Sequence, residues 1–212
     1  MTQPAPSPYH LYLVLDPDHV AGDVMQTALD AFDNGVTCVQ LRWKTAKDRQ
    51  LVDLAGAVLS LSRARGIPMI INDRLDIALV VGADGVHLGV DDISVQDARH
   101  LGGPELLIGY SPETDGQIAG AEMAGASYLG IGPIFGTATK PDAGPELGAT
   151  EFSRRRQLTD APVVAIGGIT NTNAARAMAA GANGIAVASA ILGSADPAVA
   201  TRQLRQALLA HP

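Results

Sequence analysis

Short apolar runs recur along the chain with amphipathic stretches between them, and the hydrophobic period changes each time from about 2 to about 3.6. "YHLYLVLD" reads as a first strand and "DVMQTALDAFDNG" as a helix that ends at Gly35. The same alternation gives strands at "TCVQLRWK", "PMIINDR", "GVHLGV", "LLIGYS", "SYLGIGPI", "PVVAIGG" and "GIAVASAI". Helical spacing follows each run, from the long "AKDRQLVDLAGAVLSLSRARG" to the closing "ADPAVATRQLRQALLA". Glycines tend to stand where helices stop, as left-handed caps require. Asp196 with Pro197 makes a plausible N-terminus for the last helix, and the Thr170–Asn173 region one for the helix before it.

Eight strand–helix units in a row predict a single-domain α/β fold, the closed parallel (β/α)8 TIM barrel. The barrel is expected over residues 10–212, with residues 1–9, rich in proline, as a flexible tail. A doubly wound open sheet is the alternative. It would use fewer strands, and the glycine fingerprint expected after its first strand is missing.

Composition narrows the function. The chain has 212 residues, 47% of them hydrophobic but only 4% aromatic, so the core must be Val, Ile, Leu and Ala. That suits strands covered on both faces. The net charge of −7 argues against nucleic-acid or anionic-membrane partners. The basic run Arg154–Arg156 reads as a solvated helix face. A lone cysteine, Cys38, sits among apolar neighbours and behaves as a small hydrophobe rather than a nucleophile. It fits a reduced, cytoplasmic setting. No signal peptide or membrane span is expected.

In such a barrel, chemistry gathers at the C-terminal strand ends, and the polar residues fall there. Arg42, Lys44 and Lys140, with Asn72 as a neutral donor, form a cationic set in an acidic protein and suggest a polyanionic ligand such as a diphosphate. Salt bridges to Asp73 and Asp92 are the competing reading. Asp73 and Asp92, on adjacent strands, are candidate Mg²⁺ ligands. Helix capping is their plainer explanation. "AIGGI" and "VASAI" after strands seven and eight offer backbone N–H groups for a second phosphate, with Gly167 and Gly168 permitting close approach. "DPDH" at Asp16–His19 reads as a turn and cap. His87 faces either the core or the ligand. Lys140 as a Schiff-base lysine is disfavoured by its Gly/Pro-rich loop.

"VQLRWK", "INDRLDIAL", "ADGVHLGVDD", "IGYS", "GPIFGTATKPDAG", "AIGGIT" and "GANGIAVASAI" stand in the order seen in the thiamine phosphate synthase family, which the chain resembles from about Tyr12 to Ile191. The resemblance implies a Mg²⁺-dependent transferase. It joins a hydroxymethylpyrimidine diphosphate to a thiazole phosphate through a dissociative, carbocation-like displacement and releases pyrophosphate. It implies Asp73 and Asp92 on the metal, and Arg42, Lys44, Asn72 and Lys140 on the diphosphate. Ser111 would sit by the leaving group, with Gln40 and His87 toward the aminopyrimidine. Thr137, Thr139, Gly168, Ala188 and Ser189 would hold the thiazole phosphate. Catalysis would rest on Ser111, Lys140 and Arg42. The loop from Gly132 to Gly144 would close over both substrates. Departures are Trp43 where the family has an acidic residue, Val90 where Gln is common, and Asp91 for Glu. Trp43 is expected at the rim or against a second subunit; a homodimer is compatible with the sequence. The alternatives are a thiazole tautomerase of the same superfamily and a non-catalytic barrel that binds a phosphorylated ligand.

Overall fold

The computed structural model describes residues 7–137 and 144–209. Eight parallel strands close on themselves in chain order. They are β1 (Leu11–Leu15), β2 (Cys38–Leu41), β3 (Met69–Asn72), β4 (Gly85–Leu88), β5 (Leu107–Tyr110), β6 (Tyr128–Ile131), β7 (Val163–Ile166) and β8 (Gly184–Val187). Around them run α1 (Val24–Asn34), α2 (Asp48–Arg63), α3 (Leu75–Val81), α4 (Val95–Gly102), α5 (Asp115–Ala121), α6 (Gly148–Arg156), α7 (Ala174–Ala179), the four-residue α8 (Ser189–Leu192) and α9 (Pro197–Leu209). The expected TIM barrel is the observed one.

Side-chain alternation along each strand divides the core in two. Leu11, Leu13 and Leu15 of β1 point outward, into the apolar shell shared with the helices. Tyr12 and Val14 point inward, where they meet Cys38, Ile70, Tyr128 and Val164. Tyr9, assigned to the tail on sequence, is 4% exposed and stacks on Tyr128 with ring centroids 4.3 Å apart. The ordered chain therefore begins before residue 10. Its aromatic ring joins the inner cluster at the barrel floor, at the head of the apolar run read as the first strand.

Cross-strand register then fixes what shares a level. Asn72 lies opposite His87, His87 opposite Gly109, and Gly109 opposite Tyr128. Tyr12 lies opposite Cys38, and Val14 opposite Gln40. Polar residues far apart in sequence are thus stacked inside one cylinder by register alone.

The eighth strand is shorter than its apolar run. After Val187 the chain turns at Ala188 and winds as α8. A continuous apolar segment does not distinguish a buried strand from a buried helix, and Ile191 and Leu192 bury equally well in either. The last helix starts as expected, with Val199 N–H donating to Asp196 Oδ1 at 2.9 Å.

Candidate active site

Strand β2 delivers Arg42 and Lys44 just past its last residue. Arg42 Nη1 donates to Asp16 Oδ2. Asp16 is 3% exposed, accepts from Asp18 N–H at 3.2 Å and has His19 Nδ1 at 3.3 Å. The "DPDH" segment is therefore a turn and cap, and it also fixes an arginine. A guanidinium has five N–H donors, so one bond to Asp16 orients the fork and leaves donors for the mouth. The competing reading, a pairing of Arg42 with Asp73 or Asp92, does not hold. A buried aspartate on the neighbouring strand end takes it instead.

Lys44 pairs as the salt-bridge reading anticipated, Nζ lying 3.3 Å from Asp73 Oδ2. Both groups are partly exposed, so this contact is weak and exchangeable. Asp73 is reached through an unusual backbone. Its N–H donates to His87 O at 2.8 Å, extending the β3–β4 ladder by one residue, and its φ is +62°. Aspartate tolerates that left-handed conformation better than most side chains, at about 1 kcal/mol. Asp92 Oδ2 accepts from Gly89 N–H at 2.7 Å.

Neither carboxylate caps a helix. The N-terminal flanks of α3 and α4 are Arg74 and Ser94, and the Ser94 hydroxyl caps α4 by accepting from Asp97 N–H at 3.1 Å. Removal of the capping explanation leaves two carboxylates facing each other. Burial, and then the adjacent Asp73 carboxylate, push the Asp92 carboxyl above its usual range, against the pull of the Gly89 N–H and Lys44. Like charges so placed invite a divalent cation. Among the described residues no three His, Cys, Asp or Glu side chains assemble as a self-contained metal centre. A pair suits Mg²⁺, which takes one or two carboxylates and completes its shell with water and phosphate oxygens.

The inner wall carries a continuous hydrogen-bonded row. Gln40 Nε2 donates to Tyr12 Oη at 3.0 Å, and Tyr12 Oη meets Tyr128 Oη at 2.7 Å. Tyr128 Oη meets His87 Nδ1 at 3.0 Å, and His87 Nε2 meets Ser111 Oγ at 2.8 Å. His87 is thus both part of the barrel interior and linked to a site candidate. Tyr12 and Tyr128 are absent from the sequence expectations. Their inward parity in two apolar strands, in a chain with four tyrosines, was the available signal. Cys38 is buried beside them, and burial pushes its thiol well up, so it stays protonated as expected.

Strands β6 to β8 build the opposite wall from backbone. Ile134 N–H donates to Ile166 O at 2.8 Å and Phe135 N–H to Gly167 O at 3.1 Å, drawing the loop after β6 alongside the end of β7. A Cβ on Gly168 would fall 2.3 Å from Gly136 O, and its φ is +62°. The contact is closed to any other residue. Thr137 follows directly, half-buried. Ala188 precedes α8, with Ser189 exposed at the first turn of that helix. Thr139 and Lys140 lie outside the described residues, as does the centre of the loop expected to close.

Trp43 stands at the rim, one of its two expected places. It packs on this chain's own core and donates through Nε1 to Asp18 Oδ1 at 3.0 Å, while Thr45 Oγ1 donates to Asp18 Oδ2 at 2.6 Å. It ties the loop after β2 to the loop after β1.

Fold and strand-end site together define an enzyme of the (β/α)8-barrel class. Within that class the chain belongs to the thiamine monophosphate synthase family, whose description matches residues 11–191. It is 46% identical over 198 residues to a thiamine-phosphate synthase of Laribacter hongkongensis, covering 92% of this chain and 93% of that one. It is 42% identical over 203 residues to that of Roseiflexus castenholzii, covering 95% and 89%. A thiamine phosphate pyrophosphorylase structure from Pyrococcus furiosus superposes with a TM-score of 0.87 at 33% identity, covering 96% of each chain. No helix of the described residues is long and apolar enough to cross a membrane.

Proposed function

We propose that this transferase joins a pyrimidine diphosphate to a thiazole phosphate at the barrel mouth, giving thiamine phosphate and pyrophosphate. The observation that carries the reading is the facing pair Asp73 and Asp92 beside Lys44. An isomerase working on a single phosphate, or a barrel that only binds a phosphorylated ligand, has no use for two carboxylates held against each other. The donor set suits Mg²⁺, which when bound would neutralise charge on the diphosphate as it departs.

The protein's own residues do the rest. Arg42, oriented by Asp16, and Lys44, released from Asp73, receive the diphosphate oxygens, and Asn72 donates from the inner wall. Ser111 donates to the leaving group. Gln40 meets the pyrimidine's exocyclic amine. The C–O bond to the diphosphate breaks, its electron pair leaves with the phosphate oxygen, and the thiazole nitrogen supplies the pair for the new C–N bond. Donors aimed at the developing anion lower the barrier to that departure. On the far side, backbone at Gly168, Ala188 and Ser189, with Thr137, holds the thiazole phosphate and so fixes the direction of attack. Lys140 and Thr139 are assigned to the diphosphate and the thiazole phosphate from the sequence motif.

The test is direct. Purified protein with both substrates and Mg²⁺ yields thiamine phosphate and pyrophosphate in equal amounts, and a chelator stops the reaction. A folded sample that makes neither product overturns the reading.

A further inference from the structure

From the interior hydrogen-bonded row, together with the synthase reading above on which the inference rests, we infer that Tyr12 and Tyr128 are positioning residues. They set, in one direction, the proton arrangement that makes Gln40 an acceptor and Ser111 a donor toward the substrate.

The row contains five polar side chains from five different strands or strand ends and runs from Gln40 to Ser111 without a break. It is a built feature. A Cβ on Gly109 would fall 2.3 Å from both His87 Nδ1 and Tyr128 Oη, on top of their hydrogen bond. One on Gly130 would lie 3.2 Å from His87 Cε1 and Ser111 Oγ. Both glycines lack a positive φ, so backbone freedom does not explain them. Space for the row does.

Each hydroxyl in the row has a single hydrogen to give, so a row that runs in one direction from Gln40 has one donor at each step. Gln40 gives its Nε2 to Tyr12. In that direction Tyr12 donates to Tyr128, and Tyr128 to His87 Nδ1. His87 carries its hydrogen on Nε2 and donates it to Ser111 Oγ. The Ser111 hydrogen is left to point at the substrate. Gln40 Oε1 has no hydrogen-bond partner among the described residues, and none of their fully buried side-chain oxygens lacks one, so this oxygen is reachable from outside. Burial holds both tyrosines far above their usual range, so each keeps the hydrogen the row needs.

The consequence is a link between recognition and departure. A ring amine needs an acceptor, which Gln40 Oε1 supplies. A departing diphosphate needs a donor, which Ser111 supplies. Reversal of the row would turn Gln40 Nε2 outward and make Ser111 an acceptor, wrong at both ends together. A substrate analogue with a carbonyl in place of the amine would favour that reversed row, so the inference assigns the row a part in selecting aminopyrimidines.

Two measurements test it, one independent of turnover. Nitrogen-15 NMR of the ligand-free protein, with the His87 signals identified by their loss in His87→Gln, is expected to show the neutral ring protonated at Nε2. Protonation at Nδ1 would reverse the row and overturn the inference whatever the activity. The second is a cycle between Tyr128→Phe and Ser111→Ala. Tyr128→Phe is expected to lower kcat by about tenfold, the rate equivalent of one lost hydrogen bond, with KM for the thiazole phosphate unchanged. In the Ser111→Ala background it is expected to lower kcat no further. An equal fall in both backgrounds shows a merely structural tyrosine and overturns the inference. If wild-type protein makes no thiamine phosphate, the synthase reading fails while the tautomer measurement still reports the direction of the row.

Discussion

The two halves of the barrel mouth are built on different principles. Around β2, β3 and β4 the site is made of charged side chains set against one another: Arg42 on Asp16, Lys44 on Asp73, Asp73 against Asp92. Around β6, β7 and β8 it is made of bare backbone pressed together, Gly167 against Pro133 and Gly168 against Gly136. The first half stores unfavourable charge, Asp73 against Asp92. It can be altered by changing a side chain, with little effect on the path of the chain. The second half has its function in the path of the chain, so it cannot be altered without strain.

The largest expected effect tests the charged half. Asp92→Asn keeps an oxygen for Gly89 N–H but removes the charge. Asp73→Asn does the same at a φ of +62°, which asparagine adopts as readily. Each should lower turnover by about 10³-fold, some 4 kcal/mol of lost charge stabilisation, with circular dichroism unchanged. Mg²⁺ should raise the melting temperature of the parent protein and not of either variant. If either variant keeps its turnover, the carboxylate pair is not the metal site.

The backbone half should answer differently. Gly168→Ala puts a Cβ 2.3 Å from a carbonyl oxygen at positive φ and is expected to cost about 2 kcal/mol or more of stability. It should also raise KM for the thiazole phosphate while sparing that for the pyrimidine diphosphate. Gly66→Ala is the control. Its φ is +66° but nothing lies within 4 Å, so only the conformational penalty of about 1 kcal/mol remains. Equal losses at the two positions would mean that the contact with Gly136 contributes nothing, and the contrast between the halves would weaken.

The same contrast explains what could be read from sequence. Barrel, strand order and most strand ends were legible because alternation and helical spacing are local properties. Arg42, Lys44, Asp73 and Asp92 were legible as polar residues at strand ends. The Lys44–Asp73 pairing was legible too, but the partner of Arg42 was not. Asp16 lies 26 residues before Arg42 and looked like a simple turn, which it also is. The capping explanation for Asp73 and Asp92 failed because helix starts are uncertain by a residue or two, and Arg74 and Ser94 stand at those positions. Tyr12 and Tyr128 were hidden for a different reason. An inward tyrosine in an apolar strand looks like any core aromatic until register sets its hydroxyl beside another one 116 residues away.

The smallest expected effect concerns how the backbone half is held from outside. Helix α6 follows the loop after β6, and Glu151 on it accepts from Arg154 at 2.8 Å and from Arg155 at 2.9 Å, while Arg154 also reaches Asp115 on α5. Hydrogen bonds from Arg154 and then Arg155 hold the Glu151 carboxyl down at about 2 from an ordinary 4.5. Because the folded value lies below the unfolded one, the contribution is present above about pH 4.5 and is lost as pH falls toward 2. The group is exposed and salt screens it, so the effect is small. The melting temperature of the parent should therefore exceed that of Glu151→Gln near neutral pH, by a margin that shrinks in high salt and closes in acid. KM for the thiazole phosphate should be the same in both if, as proposed, the site holds that phosphate by backbone. A change in that KM would show that charge on α6 reaches the backbone half after all.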